Sequence, residues 1–208
     1  MSSKVEDTLR KAARWLNENG IAMKQHPEEL LWAMDHVRAL KPLSTFVEVG
    51  SMCGGTLYCY AQLLAPKSRI VAVEDGRRGP KTRKPLKRVI AKLKEQGHDA
   101  HWVRGNSHLP DTIAAARTIL ENRTVDFLHI DGDHSAAGSL ADWHDYGPLV
   151  RPGGIAAFHD IYGRSPCHVD GTWVGVVRET RRAETICGGP FTIGTKRHKA
   201  CGIGLAYI

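Results

Sequence analysis

Short apolar runs that alternate with helix-length amphipathic segments are the main structural signal in this chain of 208 residues. Two amphipathic segments come first, at residues 5–19 and 27–40, and Pro27 with two acidic residues opens the second one. From residue 45 onward, the apolar runs have the length of strands and the segments between them have a helical period. The predicted strands lie at residues 45–49, 69–73, 100–103, 127–130, 155–158, 191–194 and 202–207. The predicted helices between them lie at residues 56–64, 85–96, 111–121, 139–146 and 174–183.

This alternation predicts an α/β fold built on a mostly parallel sheet. The runs at 127–130 and 155–158 are separated by a helix-length segment and a predicted turn at 151–154, as expected for neighbouring parallel strands. Each of the two runs ends in a polar cluster. Because ligands of open α/β sheets bind at the carboxyl ends of strands, we expect these clusters to converge on one small volume. Their residue types predict a metal site; the residues are Asp131, Asp133, His134, His159 and Asp160.

Composition indicates one globular domain over residues 1–208, with an N-terminal helical cap at 1–42 and a core at 43–208. Hydrophobic residues make up 42% of the chain and charged residues 25%, which is ordinary for a globular protein. No apolar run approaches the roughly 20 residues that a membrane span requires. The charged N-terminus predicts that there is no signal peptide. The five cysteines are odd in number and lack CxxC spacing, which favours reduced thiols in a cytoplasmic protein over a disulfide framework or a zinc ribbon.

A glycine-rich turn follows the first predicted strand, with Glu48 and Gly50 before it and the pair Gly54 and Gly55 at the start of the next helix. Such a turn lets backbone N–H groups approach a ligand. Its spacing does not fit the dinucleotide fingerprint, and the absence of a following Lys-Ser or Lys-Thr excludes a P-loop. The second strand ends in Glu74 and Asp75, where an acid accepts hydrogen bonds from ribose hydroxyls. The combination indicates an adenosine-type ligand.

These motifs resemble those of class I S-adenosylmethionine (SAM)-dependent methyltransferases. Within that class the chain is similar to the small-molecule O-methyltransferases of the macrocin O-methyltransferase and cephalosporin-hydroxylase-like group. The resemblance covers residues 20–208, and residues 48–51, 54–55 and 127–134 are its most specific pieces. It implies a Rossmann-like, doubly wound, seven-stranded sheet with an antiparallel last strand, preceded by N-terminal helices. The cofactor-binding residues that it implies are Gln25, Glu48, Gly50, Ser51, Gly54, Gly55, Glu74, Asp75, Asn106, Ser107 and Asp131.

The same resemblance implies a divalent metal held by Asp131 together with His159 and Asp160, and a general base at His134. A divalent cation can hold two neighbouring substrate oxygens and lower the pKa of the attacking hydroxyl, whose proton an imidazole then accepts. This chain departs from its relatives, which usually carry two acids, or an acid and an amide, at the end of strand five. Because a histidine nitrogen suits Mn²⁺, Fe²⁺ or Zn²⁺ better than Mg²⁺, the choice between Mg²⁺ and Mn²⁺ stays open. Two further alternatives also stay open: Asp133 supplies the third oxygen, or no metal binds.

The net charge of +7 is concentrated in residues 77–94, which contain nine lysines and arginines and no acid. This basic run is either a solvated helix face or a surface that attracts an anionic substrate or nucleic acid. Nucleic acid is disfavoured, because no aromatic residues for base stacking are interleaved with the cations.

The function that we predict is SAM-dependent, metal-assisted O-methylation of a small hydroxylated molecule such as a sugar, a polyketide or a phenolic product. The positive charge of the basic run is compatible with an anionic acceptor. The alternatives are a metal-independent methyltransferase that acts on RNA or a phosphorylated substrate, and a non-catalytic SAM-binding protein. His129 is expected to be a hydrogen-bonded core histidine. Self-association into a homo-oligomer through the N-terminal helices is left open.

Overall fold

A seven-stranded sheet lies at the centre of the computed structural model, which describes residues 3–162, 168–180, 182–188, 191–193, 196–198 and 201–208. Its strands are β1 Thr45–Val49, β2 Arg69–Val73, β3 Asp99–Val103, β4 Val125–Ile130, β5 Val150–His159, β6 Arg182–Ile186 and β9 Ile203–Tyr207. The order across the sheet is β3-β2-β1-β4-β5-β9-β6, and β9 runs antiparallel to the other six strands. This arrangement confirms the predicted seven-stranded, mostly parallel sheet with an antiparallel last strand.

Seven helices of the described residues cover the two faces of this sheet: α1 Ser3–Glu18, α2 Pro27–Val37, α3 Gly55–Ala61, α4 Pro80–Glu95, α5 Pro110–Leu120, α6 Ala136–Tyr146 and α7 Asp170–Glu179. Successive strand residues point to opposite faces, so Phe46 joins the core under α1 to α4, whereas Val47 joins the core under α5 to α7. Because both faces are covered, β1 and β2 are buried along their whole length. The sheet is therefore doubly wound, as predicted.

Helix α4 begins five residues before the predicted start at residue 85. Pro80 takes the first helical position, where the missing N–H of proline has no helical partner to lose, and Pro85 lies inside the helix. Leu86, Val89 and Leu93 bury the apolar stripe of α4 against the sheet. The prediction placed the wrong proline at the helix start.

The predicted turn at residues 151–154 is wrong, because these residues lie inside β5. Gly153 has a positive φ of 77°, and the pairing of β4 with β5 shifts its register between Val125 and Phe127. Ile208 at the end of the chain accepts a hydrogen bond from the Gly153 N–H at 2.7 Å and donates to the Gly154 carbonyl at 3.1 Å. Pairing with the C-terminal residues thus holds this glycine segment in extended form.

The predicted helix at 174–183 is also corrected, since α7 ends at Glu179 and β6 begins at Arg182. This unpredicted strand takes the sheet edge beside β9. The predicted strand at 191–194 does not join the main sheet: β7 Phe191–Ile193 pairs with β8 Lys196–His198 in a separate two-stranded sheet, and residue 194 lies outside the described residues. Strand β6 occupies the sheet edge that was predicted for residues 191–194, and it pairs with β9 over five residue pairs.

Helices α1 and α2 pack against the rest of the chain through buried residues that share one core with β1, among them Leu9, Leu16, Leu30 and Met34. The division into a cap at 1–42 and a core at 43–208 stays a prediction. In the described part of the chain, no helix combines the length and the apolar character that crossing a membrane requires.

Candidate functional site

A cleft runs along the edge of the sheet where the parallel strands end. One cavity of about 460 Å³ lies over the ends of β1, β2, β4 and β5, and a second of about 570 Å³ adjoins it toward the end of β3. The residues that the two cavities share are Gly50, Glu74, Asp75, Arg77, Arg78, Gly132 and His134. The first cavity is lined in addition by Ala22, Lys24, Gln25, Glu48, Ser51, Met52, Cys53, Gly55, Thr56, Asp131 and His159.

The glycines of the β1–α3 turn are required by close backbone approaches. A Cβ on Gly50, whose φ is +89°, would lie 2.1 Å from the carbonyl oxygen of Asp131. A Cβ on Gly55 would lie 2.4 Å from the carbonyl oxygen of Ala22. The turn is therefore packed between the end of β4 and the segment that precedes α2, which brings both of these into the wall of the cleft.

Glu48 and His129 form a buried pair beneath this turn. His129 is fully buried, and its Nδ1 lies 3.1 Å from Glu48 Oε1, which agrees with the expected hydrogen-bonded core histidine. The other carboxylate oxygen, Oε2, is buried without a hydrogen-bond partner among the described residues, and so is Oε1 of Gln25. Buried acceptors of this kind are normally satisfied by protein, water or a ligand, and both residues line the cavity.

Glu74 ties the end of β2 to the glycine turn. Its Oε2 accepts a hydrogen bond from the Met52 N–H and its Oε1 one from the Gly76 N–H, both at 2.9 Å. Burial raises the pKa of the Glu74 carboxyl above its ordinary value. The next residue, Asp75, accepts a hydrogen bond from the Arg77 N–H at 2.7 Å and pairs with the Arg77 guanidinium. Both carboxylates face the cavity while they are held by the backbone of their own chain.

The turn after β3 forms the wall of the second cavity, to which Asn106 and Ser107 belong. Asn106 Oδ1 accepts a hydrogen bond from the His108 N–H at 3.1 Å, and Tyr146 donates its hydroxyl hydrogen to the Ser107 carbonyl at 3.1 Å. These contacts hold the turn in place in the same cavity as the loop that follows Asp131.

Two carboxylates and two imidazoles meet at the ends of β4 and β5. His134 Nε2 lies 3.3 Å from Asp131 Oδ1, and His134 Nδ1 lies 2.9 Å from Asp160 Oδ2. His159 Nδ1 lies 3.2 Å from Asp131 Oδ1 and 3.1 Å from Asp160 Oδ1. Gln25 donates its amide hydrogen to Asp131 Oδ2 at 2.7 Å. We call Asp131, His134, His159 and Asp160 the carboxylate–imidazole cluster.

Mutual attraction shifts the pKa values within this cluster. Hydrogen bonds to Asp131 and Asp160 raise the pKa of His134 to about 12. Burial alone would lower the pKa of His159, but the charge of Asp131 and the hydrogen bonds to both carboxylates outweigh it and raise the pKa to about 10. The pKa values of Asp131 and Asp160 are lowered, because the imidazolium groups outweigh the opposing effect of burial. An imidazolium cannot accept a proton, so His134 acts as a base only where another cation competes for the two carboxylates.

The donor atoms of the cluster suit a divalent cation. Asp131, His134 and Asp160 each offer one ligand atom within 4.8 Å of the other two. The expected set was Asp131, His159 and Asp160, so His134 lies among the ligand-type groups as well as in the position expected of the base. A set of two oxygens and a nitrogen fits Mn²⁺, Fe²⁺ or Zn²⁺ better than Mg²⁺. Asp133 is not one of these three residues, and its Oδ1 accepts a hydrogen bond from the Ser135 N–H at 2.9 Å.

Three cations of the cleft wall were missing from the predicted set. Lys24 precedes α2, and Arg77 and Arg78 follow β2. The two arginines belong to the basic run, so their charge was visible in the sequence but not their position beside the cleft. Lys24 carried no signal, because only the packing of residues 20–25 on the glycine turn brings it to the site.

The sheet order and the cleft over the glycine turn agree with the methyltransferase class predicted from the sequence, and a family match confirms that the domain is a methyltransferase domain. A family described as "Methyltransferase domain" matches residues 47–161, more than half of the chain. The chain belongs to this methyltransferase family.

One curated protein is similar to this chain in sequence, and solved methyltransferase structures share its fold. The uncharacterized protein y4gI of Sinorhizobium fredii is 30% identical over 144 residues, which make up 66% of this chain and 15% of that protein. The chain thus spans about 15% of that relative. The O-methyltransferase of Bacillus cereus, solved in complex with SAH, has a TM-score of 0.62 at 17% identity over 96% of this chain and 90% of its own. The O-methyltransferase TomG of Streptomyces achromogenes, solved in complex with SAM, has a TM-score of 0.60 at 21% identity over 97% of this chain and 89% of its own.

Proposed function

We propose that this methyltransferase transfers the methyl group of SAM to a hydroxyl oxygen of a small molecule, with the help of a divalent metal ion. The observation that carries the proposal is the carboxylate–imidazole cluster, which shares a cleft with the glycine turn and Glu48. A sugar, a polyketide or a phenolic product is the class of acceptor that we expect.

The polar groups of the cleft support SAM as the methyl donor. The ammonium of its methionine portion offers N–H donors, and Glu48 Oε2 and Gln25 Oε1 are buried acceptors without a partner among the described residues. Glu74 and Asp75 would supply carboxylates for the ribose hydroxyls, and Asn106, which lines the same cavity, would flank the adenine. A cavity of about 460 Å³ is within the usual size of small-molecule sites.

Asp131, His159 and Asp160 are the residues that we propose hold the metal, which leaves the role of base to His134. When bound, the metal supplies Lewis acidity that lowers the pKa of the acceptor hydroxyl. The acceptor oxygen forms its bond to the methyl carbon as the carbon–sulfur bond of the sulfonium breaks, and the sulfur keeps the electron pair. His134 is the proposed acceptor of the hydroxyl proton, because its side chain is 40% exposed and is the more open of the two imidazoles.

A metal-independent methyltransferase is the second candidate, and the pairing within the cluster favours it. Both carboxylates already lie within 3.3 Å of histidine nitrogens. Two imidazolium charges then offset the two carboxylate charges that a divalent cation would otherwise offset.

A cytoplasmic location and a small, anionic acceptor are further parts of the proposal. The buried free thiols of Cys53 and Cys59 support a reducing compartment. Arg77 and Arg78 at the cleft support an anionic acceptor. Self-association stays a prediction.

Isothermal calorimetry of SAM, with and without Mg²⁺ or Mn²⁺, tests the proposal. The variants are the wild type and Asp131→Asn/Asp160→Asn, which keeps the shapes of both side chains. Asp133→Asn, on the same loop but outside the cluster, is the matched control. We expect all three proteins to bind SAM, and the wild type and the control to bind the metal as well.

SAM binding without any metal signal in the wild type would remove the metal and favour the second candidate. Failure of the folded wild type to bind SAM would overturn both candidates. Thermal unfolding of each variant separates a lost site from a lost fold.

A further inference from the structure

A separate basic cavity lies beside the cofactor cleft, between the N-terminal half of α4 and the end of β3. Its volume is about 310 Å³. Its lining consists of Pro80, Arg83, Lys84, Lys87, Trp102 and Arg104. None of these residues belongs to the candidate methyl-transfer site.

The positive charge of this cavity is not balanced by the protein. Four of its lining residues are cationic, and within the described ranges no carboxylate lies at ion-pair distance from Arg83, Lys84, Lys87 or Arg104. Within the basic run, Arg77 pairs with Asp75 and Lys92 with Glu95 at 3.2 Å, whereas cations outside the cavity such as Lys81 and Lys94 also lack an ion pair among the described residues. What distinguishes the cavity is that four cations without an ion pair line one concave surface, which favours binding of an anion.

Trp102 gives the cavity an aromatic wall. The indole is part-buried and held in position, because its Nε1–H donates to the Glu74 carbonyl at 2.8 Å. The basic run itself contains no aromatic residue between 77 and 94. Packing of β3 against α4 supplies one, because it brings Trp102 beside Arg83 and Lys87. A flat aromatic ring beside cations is the combination that recognises a base next to a phosphate.

Arg104 links the cavity to the neighbourhood of the cofactor cleft. Arg104 also lines a shallow depression together with Asp75, Arg77 and Asn106, and these three residues belong to the cleft as well. Arg104 therefore lies between the basic cavity and the residues of the cleft.

We propose that this basic cavity binds a nucleotide unit, with Arg83, Lys84, Lys87 and Arg104 around the phosphate and Trp102 against the base. Guanidinium and ammonium groups form charge-assisted hydrogen bonds with phosphate oxygens. Two sources present this chemistry: a free nucleotide or nucleotide-linked small molecule, and a single-stranded RNA. The inference goes beyond the proposed methyl transfer and does not depend on it.

Calorimetric titration with uridine monophosphate (UMP) tests the site, with saturating S-adenosylhomocysteine present to fill the cofactor cleft. The test variant is Lys84→Gln/Lys87→Gln. The matched control is Lys92→Gln/Lys94→Gln, which removes the same charge from the same helix outside the cavity. We expect the Kd for UMP to rise about tenfold or more in the test variant and less than about twofold in the control.

Two further probes examine the base and the source of the ligand. Inorganic phosphate is expected to bind more weakly than UMP to the wild type, and Trp102→Phe is expected to reduce that difference. A ten-residue oligouridylate that binds far more tightly than UMP, with the same dependence on Lys84 and Lys87, assigns the nucleotide unit to RNA. Equal affinity of the two ligands assigns it to a free nucleotide.

Equal losses in the two double variants would overturn the proposal, because the charge would then act as a diffuse field and not as a site. Absence of binding by both UMP and the oligouridylate would overturn it as well. SAM affinity is measured on the same proteins and is expected to be the same in the wild type and Lys84→Gln/Lys87→Gln. A failure of the nucleotide site is thus distinguishable from a failure of the proposed methyltransferase function.

Discussion

Glu48 is a buried carboxylate with one oxygen held by His129 and the other facing the cleft without a partner among the described residues. An acid in this position is costly to bury unless a ligand completes its hydrogen bonding. The proposed ligand group, an ammonium, does so with a charge-assisted bond.

Glu48→Gln keeps the shape of this side chain and removes its charge. We expect the Kd for SAM to rise by about tenfold to a hundredfold, the value of a hydrogen bond to a charged group. Calorimetry measures the change, and Glu95→Gln on the exposed end of α4 serves as the control for lost negative charge. Unchanged affinity in a folded Glu48→Gln protein would exclude Glu48 from the cofactor site.

His129 positions Glu48 and does not itself face the cleft. His129→Leu removes the donor to Glu48 Oε1 and leaves that oxygen free to rotate away, whereas His129→Asn keeps a donor. We expect His129→Leu to raise the Kd for SAM by about fivefold, in line with the loss of one hydrogen bond, and His129→Asn to raise it less. Both variants are compared at equal folded fraction, checked by thermal unfolding. The same affinity in the Leu and Asn variants would show that the pair has no positioning role.

At the scale of elements, the β1–α3 turn and the end of β4 depend on each other. Gly50 combines a positive φ with a backbone contact that leaves no room for a side chain. Gly20 also has a positive φ, of 64°, but has no neighbouring atom within 4 Å of an added Cβ. Alanine substitutions at the two glycines therefore separate the cost of the left-handed conformation from the cost of steric overlap.

Gly50→Ala is expected to lower the free energy of unfolding by about 2–4 kcal/mol, since it adds overpacking to the cost of a left-handed alanine. Gly20→Ala is expected to lower it by only about 1 kcal/mol, the conformational part alone. Urea unfolding of the two variants gives both values. Similar losses would mean that the turn can move away from β4 without strain.

The opposite end of β4 is fixed by Asp126. Its Oδ2 accepts hydrogen bonds from the N–H groups of Ser44 at 2.7 Å and Thr45 at 2.9 Å, and its Oδ1 pairs with the Arg151 guanidinium at 2.5 Å. One carboxylate thus joins the starts of β1, β4 and β5 at the end of the sheet away from the cleft.

Asp126→Ala leaves a largely buried arginine and two N–H groups without their partner, so we expect a loss of about 3–5 kcal/mol in unfolding free energy. SAM affinity of the folded fraction is expected to stay the same, because the residue lies far from the cleft. Denaturant unfolding and calorimetry test the two parts separately. A stable Asp126→Ala protein with weakened SAM binding would show that Asp126 acts on the cofactor site and not on stability.

At the scale of the whole molecule, the carboxylate–imidazole cluster is assembled from the segment after β4 and the end of β5, and Gln25 before α2 contacts it through Asp131. Its donor set leads to a prediction about the metal. We expect Mn²⁺ to bind more tightly than Mg²⁺, because an imidazole nitrogen is a poor ligand for Mg²⁺. Competition titrations with the two ions measure the preference, and tighter binding of Mg²⁺ would indicate that oxygen atoms alone form the site.

The buried strands were predictable in detail. Strands β1 and β2 have the limits predicted from their apolar runs, because both faces are covered and every residue is apolar or tied into a pair. The start of α4, the extended form of residues 151–154 and strand β6 were not predictable. Each of them depends on a partner that is distant in the chain. Helix α4 depends on the sheet surface, strand β6 on β9, and residues 151–154 on Ile208.

The sequence by itself determined the class of fold, the family, and the strand ends at which the chemistry is carried, because those properties follow from local periodicity and short motifs. Only the tertiary structure decided that His134 contacts both Asp131 and Asp160, that His129 supports Glu48, and that Trp102 lies within the basic cavity. The physical reason is that these contacts join residues of different strands and helices. Their distances are set by the sheet order and the packing of helices on it, and no spacing along the chain records them.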